Sequence, residues 1–321
     1  MATLAEIRAR LAKDEEKTTF KTTSGASFPF WDAATGTTTT IRFLPDANPN
    51  NQYFWQEKKS VRLPFTGIKG RDSKPLFVTV PSLEMWEDLK SMDAIGNEVR
   101  KLYSVANGNK ESDEYKLASK YYRKVTYLFQ GFVRDSSVKE DSAPENPIRI
   151  FNINKQLYNI VKSGIMDPDM DNLPTDYEHG LDFRILKTAK GEYADYGTSA
   201  FGRRENALTA TEQAAIEAYG LSNLSELIGK KPTADDIRVI EEMFEASANG
   251  EEYDLARWGN TYRPYGLDSA TTPANDSATS TPSAAKEESK ETVVEGSAQE
   301  PVKAKTSAAD ILAAIKARNA K

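Results

Sequence analysis

The chain of 321 residues contains no cysteine and a single histidine, His179. The first absence excludes disulfides, thiolate metal sites and cysteine nucleophiles together. The second excludes a multi-histidine metal centre, and any Ser-His-Asp arrangement would have to be built on His179. No run of 18 apolar residues occurs, so no membrane-spanning helix is expected. The N-terminal "MATLAEIRARLAKDEEK" spreads its charges throughout and lacks the apolar stretch of a secretory signal. A soluble, cytosolic, non-redox protein is the expectation. Aromatic residues are missing from Asp268 onward, where Ser, Thr, Ala and Glu dominate. That composition buries too little surface to offset ordering entropy, so residues 268–321 read as a disordered tail ending in a short helix.

What is present suffices for a globular body. Apolar residues make up 39% of the chain and aromatics 10%, enough for one large domain with appendages or two modest ones. The formal net charge of -6 is unevenly spread. Residues 1–204 carry 30 bases against 28 acids, whereas residues 205–257 carry 4 against 12. The acidity is thus concentrated in one segment, and the first two thirds can present a locally basic surface.

Short β-branched and aromatic runs alternate with turn clusters from Phe20 to about Leu208: "TTTTIRFLP", "QYFWQEK", "PLFVTV", "KVTYLFQGFV", "IRIFNIN" and "LDFRILKT". Regular strands of this kind predict an antiparallel sheet or barrel. Helical inserts are expected near "SLEMWEDLKSM" and "NKQLYNIVKSGI". Beyond Leu208 the signals turn helical. Thr209 with Glu212 and Thr233 with Asp236 form capping pairs, and Gly220, Gly229 and Gly250 sit where C-caps fall. Residues 1–19 read as an amphipathic arm, with Leu4, Ile7 and Leu11 on one stripe. "LAEIRARLAK" (Leu4–Lys13) aligns without gaps to "LAAIKARNAK" (Leu312–Lys321), with seven of ten positions identical. Either two Ala-rich basic helices converged in composition, or both ends compete for one docking groove.

No enzyme chemistry emerges. "DPDMDNLPTDYE" (Asp167–Glu178) has the acids of a calcium loop at its first, third, fifth and twelfth positions, but Asn172 stands where glycine is needed and Pro174 where a β-pairing residue belongs. It reads as an acidic surface loop, although cation binding there stays open. "GNKES" (Gly108–Ser112) lacks the setting of a phosphate loop.

A basic and aromatic pattern, by contrast, recurs. "KLASKYYRKVTYLFQGFVRD" (Lys116–Asp135) holds five bases and five aromatics, with no acid before Asp135. "QEKKSVRLPFTGIKGRDSK" (Gln56–Lys74), with Lys58 and Lys59, carries six bases against two acids. "RILKTAKGEYADYGTSAFGRR" (Arg184–Arg204) adds five bases with Tyr193, Tyr196 and Phe201. Cations that track phosphates and aromatic faces that stack unpaired bases are what a single-stranded nucleic acid requires. Read as a strand, the 121–132 segment sends Tyr121, Arg123 and Tyr127 to one face, expected to carry the ligand, with Val125 and Phe129 at its buried margin.

Taken together, "TTIRFLP" (Thr39–Pro45), "EYKL" followed by "RKVTY", "APEN" (Ala143–Asn146) before "IRIFNINKQLYNIV", and "GLDFRILKTAKGEYADYGTSAF" resemble the T-even-type bacteriophage single-stranded DNA-binding proteins, the gene thirty-two family. The likeness spans roughly residues 38–208. It implies an oligonucleotide-binding (OB) fold, a five-stranded antiparallel Greek-key barrel, with helical insertions, in an α+β core over residues 20–267 that includes the acidic helical module 205–257. It implies cooperative coating of single-stranded DNA through the arm, and recruitment of phage replication and recombination proteins by the tail, in the host cytoplasm. The family's DNA-facing residues fall on Tyr103, Tyr115, Arg123, Lys124, Tyr127, Phe151, Tyr193 and Tyr196. The family's zinc ligands are missing from residues 60–102, so no cofactor is expected, and the basic end "IKARNAK" departs from the family's acidic tail. An RNA-binding chaperone or translational regulator is the alternative, because no residue distinguishes the sugar.

Overall fold

A computed structural model describes residues 27–69, 75–140 and 143–264. The arm at residues 1–19 and the tail at 268–321 lie outside the described residues. The described chain divides into two compact units. The first holds the residues up to Ser60, Pro81–Met92 and Arg123–Lys231; the second holds Val61–Val80, Asp93–Tyr122 and the residues from Pro232. Residues 20–267 and the stretch 205–257 each contribute to both units.

The architecture is α+β, with a mainly antiparallel sheet. Its strands are β1 (Thr38–Leu44), β2 (Trp55–Lys69), β3 (Pro75–Pro81), β4 (Lys124–Asp135), β5 (Arg149–Ile153), β6 (Leu181–Leu186) and β9 (Ala200–Glu205); β7 (Thr188–Lys190) and β8 (Tyr193–Asp195) form a separate hairpin. Helices α1 (Ala94–Ala106), α2 (Asp113–Tyr121), α3 (Lys155–Ile165), α4 (Ala210–Tyr219), α5 (Ala234–Asn249) and α6 (Leu255–Trp258) complete the fold. The sheet runs in the order β3-β2-β4-β1-β6-β9, with β5 also paired to β4, and among the described residues it does not close into a barrel.

In the first unit β4 is the shared strand. Its residues 124–129 pair with β2 and its residues 130–135 with β1, while Tyr127–Gly131 pair with β5. Residues 127–129 bond both β2 and β5, and residues 130 and 131 bond both β1 and β5, so β2 and β1 follow one another along a single edge. Alternation sends Phe43, Tyr127, Phe129, Phe151, Ile153 and Phe183 to one face, where they form the aromatic core beneath Leu157 and Val161 of α3. The opposite face carries Leu44, Leu128, Phe132 and Ile150, covered by Leu208, Ala215 and Leu224. The segment 205–231 is thus a lid on the sheet of the first unit, whereas α5 belongs to the second.

Under that lid lies a charged knot. Arg42 is fully buried, donates to the Asp176 carbonyl at 2.5 Å, and lies 3.7 Å from Asp182. Arg134 donates to Asp182 at 2.8 Å and grips Glu212 with two bonds of 3.0 and 2.8 Å. Glu212 also closes the capping box of α4 with Thr209. Burial pushes the Glu212 carboxyl up, but the bonds from Arg134 and Thr209 outweigh it and hold the group below its ordinary value of 4.5.

In the second unit α1 buries Ile95, Val99, Leu102 and Ala106, and α5 buries Ile237, Ile240, Met243 and Phe244. The capping pairs expected at Thr209 and Thr233 are both formed, and Gly220 and Gly250 end their helices. Gly229 has a positive φ of 109° but follows only a single 3-10 turn, Leu224–Glu226. Two expectations are corrected. "SLEMWEDLKSM" forms only 3-10 turns at Leu83–Met85 and Lys90–Met92, the true helix starting at Ala94 after the Asp93 cap. The basic, aromatic stretch from Lys116 begins as helix α2, not as a strand: Ser112 caps it, and Leu117, Ala118 and Tyr121 supply a helical stripe.

Two outcomes follow from this packing. A Cβ at Gly131 would land on the carbonyl oxygen of Arg42, so Gly131→Ala is expected to lower stability by about 1–3 kcal/mol; an unchanged urea midpoint would refute the close β1–β4 approach. A carboxylate with a depressed folded pKa contributes stability above its unfolded value and loses it as pH falls through the folded one. The stability gap between wild type and Glu212→Gln should therefore be full above pH 4.5 and shrink as pH drops below it, measured by denaturant unfolding across pH; a gap constant down to acid pH would contradict the assignment.

Candidate functional site

Residues just before and within β2 build an aromatic row on the first unit. Tyr53 and Trp55 lie two apart, with ring centroids 4.7 Å from each other and nearly stacked. Trp55 meets Tyr158 of α3 edge-on at 5.7 Å. Tyr158 lies flat on Tyr127 of β4, with centroids 3.5 Å apart and planes within 2°. Face-to-face rings repel through their quadrupoles. Lys155 relieves this: its ammonium donates to Tyr127 Oη at 2.7 Å and sits 4.8 Å from the Tyr158 centroid. The hydrogen bond that Lys155 donates to Tyr127 raises its pKa, so the cation is retained. Tyr53 is 59% exposed, and Trp55 and Tyr158 are half-buried, so the row runs from core to solvent.

The first turn of α3 also anchors the β7–β8 hairpin. Gln156 donates to Asp195 Oδ1 at 2.5 Å and accepts from the Tyr196 amide at 3.2 Å. Tyr193, 79% exposed, stands beyond Gly191, whose φ of 65° turns the hairpin. The helix itself starts where Asn154 accepts from the Leu157 amide at 2.9 Å. One capped turn therefore positions both Lys155 and the hairpin.

The cations differ in their engagement. Arg123 pairs with Glu84 at 3.0 Å and Lys59 lies 3.6 Å from Glu57. Lys124 is exposed at the start of β4. Lys58 is half-buried, and its pairing with Thr126 turns it to the face opposite Trp55 and Tyr127. Burial alone lowers its pKa.

Several residues expected at the site serve the interior. Phe151 has no exposure and packs against Phe28 at 6.1 Å. Tyr196 is buried against Phe30 at 6.1 Å. Tyr127 keeps 3% exposure, with its ring face covered by Tyr158. Tyr121 ends α2 in the second unit, shares no strand face with Arg123 and Tyr127, and is buried beside Phe244 at 5.1 Å. Its hydroxyl donates to Ser247 at 3.1 Å, which in turn donates to the Pro64 carbonyl.

Two other expected residues do meet. In the second unit Tyr103 of α1 and Tyr115 of α2 contact edge-on at 5.1 Å, and Tyr122 joins them at 5.9 Å with 45% exposure. Sequence reasoning missed Tyr53, Trp55, Tyr158, Lys155 and Tyr122. The available signals were the i, i+2 pair in "QYFWQEK" and the i, i+3 pair of Lys155 and Tyr158 in a predicted helix.

Among the described residues no three His, Asp or Glu side chains gather to hold a metal ion. In the Asp167–Glu178 loop, Asp167 accepts from the Asp169 amide and Asp176 from the Glu178 and His179 amides. His179 is exposed and bonded to Glu205 at 2.8 Å, which raises its pKa. No family model matches the chain, and no curated protein gives a significant match.

The flat Tyr127–Tyr158 contact generates its own test. Tyr127→Ala should cost about 3–5 kcal/mol of stability, as for large core aromatics, while Tyr127→Phe keeps the ring and loses only the bond to Lys155, about 1.5–3 kcal/mol. Equal unfolding midpoints for wild type and Tyr127→Ala would show that the ring is not part of the core.

Proposed function

We propose that this chain binds single-stranded DNA without sequence preference, using the Tyr53–Trp55–Tyr158 row and the cations beside it. The observation that carries the reading is the row itself: aromatic faces grading from core to solvent, next to Lys155. Unpaired bases present π-faces that stack on such rings at about 1–3 kcal/mol each. Phosphates supply the anions that the lysines favour, with release of condensed counterions. The chain melts secondary structure by binding the single strand and not the duplex, through mass action.

The likeness to the gene thirty-two family supports the same reading, and with it an elaborated OB-type arrangement for the first unit. The shared strand β4, pairing β2 and β1 along one edge and β5 along the other, is consistent with that kind of sheet. In this reading the exposed Tyr193 adds a stacking face and Lys59, Arg123 and Lys124 add phosphate contacts, the half-buried Tyr103 and Tyr115 with the exposed Tyr122 offer stacking faces on the second unit by itself, and the N-terminal arm and tail serve self-association and phage replication partners inside the host cell.

Titration of oligo-dT at several salt concentrations, followed by tryptophan quenching or anisotropy, tests the reading. Tyr53→Ala should weaken binding by about 1–3 kcal/mol with an unchanged urea midpoint. Lys155→Met should reduce the slope of log K against log salt by about 0.7. Unchanged affinity in the first variant and an unchanged slope in the second would remove the row from the interface. Stronger competition by poly-U than by poly-dT would favour the RNA-binding alternative.

A further inference from the structure

A concave surface lies on the first unit, where α3 meets β9. It encloses about 820 Å³ and has an apolar floor of Ile160, Met170, Leu181 and Phe201. Gly164 opens it: a Cβ there would strike the Phe201 ring, so the missing side chain lets that ring lie against the helix. Phe201 in turn packs edge-on against Phe183 at 4.9 Å, which ties the floor to the aromatic core. Asp167 and Asp169 stand exposed on the lining, opposed by Arg203. Asp171 follows two residues later, exposed as well. The groove is apolar below and net acidic at its rim.

An occupant for it needs paired aliphatic side chains and positive charge. The segment Leu312–Lys321, "LAAIKARNAK", has both. Leu312 and Ile315 lie at i, i+3, on one face of a helix, and Lys316, Arg318 and Lys321 are cationic with no acid among the ten residues. An isolated helix of that length is marginal in water, so docking would supply the burial that its own composition lacks, in the manner of a helix laid in a groove. Residues 265–311 connect the segment to the last described residue, Pro264. At roughly 3.3–3.6 Å per residue that length of chain reaches any face of a protein this size. The related Leu4–Lys13 carries Glu6 among its bases and has only residues 14–26 before Ser27. It is the poorer match to an acidic rim.

We infer that Leu312–Lys321 of this chain docks in the groove between α3 and β9, with Leu312 and Ile315 on the apolar floor and its basic residues towards Asp167 and Asp169. Zero-length carbodiimide cross-linking of the full-length protein, read by mass spectrometry in the monomer band, tests this. The expected result is a link from Lys316 or Lys321 to Asp167 or Asp169, lost in the double variant Leu312→Glu/Ile315→Glu. A labelled Leu312–Lys321 peptide added to that double variant should bind saturably, and Asp169→Lys should weaken it by about two- to fivefold. Links to Lys13 instead would assign the groove to the N-terminal segment, and links found only in a dimer band would assign it to a second copy; either overturns the inference. So does the absence of any link to these aspartates, or peptide binding unchanged by Asp169→Lys.

Discussion

Everything in the first unit depends on β4 being bonded along its whole length. Its outer edge changes partner at Phe129–Gln130, from β2 to β1, while β5 holds the other edge across the change. That exchange requires β1 to approach β4 closely, and Gly131 permits it by leaving room for the Arg42 carbonyl. The same register sends Phe129 and Tyr127 inward, and Gln130 outward to bond the Pro45 and Ser222 carbonyls. Gln130 also accepts from the Ser222 amide at 2.8 Å, and in this way one side chain fastens the 205–231 segment to the sheet.

The aromatic row is a consequence of this arrangement. A β-sheet face that is aromatic in its centre becomes solvent-facing at its edge, and here the transition runs through Tyr127, Tyr158, Trp55 and Tyr53. The inner rings cannot serve a ligand because they serve the core. The outer ones are held in place by the inner ones, so stacking surface is presented on a rigid support with little side-chain freedom left to lose. The electrostatics follow the same division. Arg42 and Arg134 are consumed by Asp182 and Glu212 beneath the lid and Arg149 by Glu140, whereas Lys155 beside the row is exposed.

Much of this was legible in the sequence where alternation was strong. β1, β4, β5 and β6 were read from their β-branched and aromatic runs, α3 as a helical insert near "NKQLYNIVKSGI", and the boxes at Thr209 and Thr233 from their spacing. What failed has identifiable causes. Helix α2 was hidden because its stripe of Leu117, Ala118 and Tyr121 is masked by neighbouring tyrosines and lysines that suggested a strand. Tyr121 was consequently assigned to a ligand face when its hydroxyl is bound inside the second unit. Burial separates Tyr127, Phe151 and Tyr196 from Tyr193 and Tyr53, yet all are aromatic residues in basic surroundings, and no local pattern distinguishes them. Trp55 and Tyr158 are about a hundred residues apart in sequence, so their meeting is a property of the fold and not of any motif.

The central claim is that unpaired bases lie on the outer rings of this row. Photo-cross-linking of the full-length protein to an oligonucleotide carrying 5-iodouracil, followed by peptide mapping, addresses it without any substitution. Adducts on Tyr53, Trp55 or Tyr158 are the predicted result, with none on the buried Phe151. Adducts confined to residues outside the row, or none under conditions in which the oligonucleotide is bound, would contradict it.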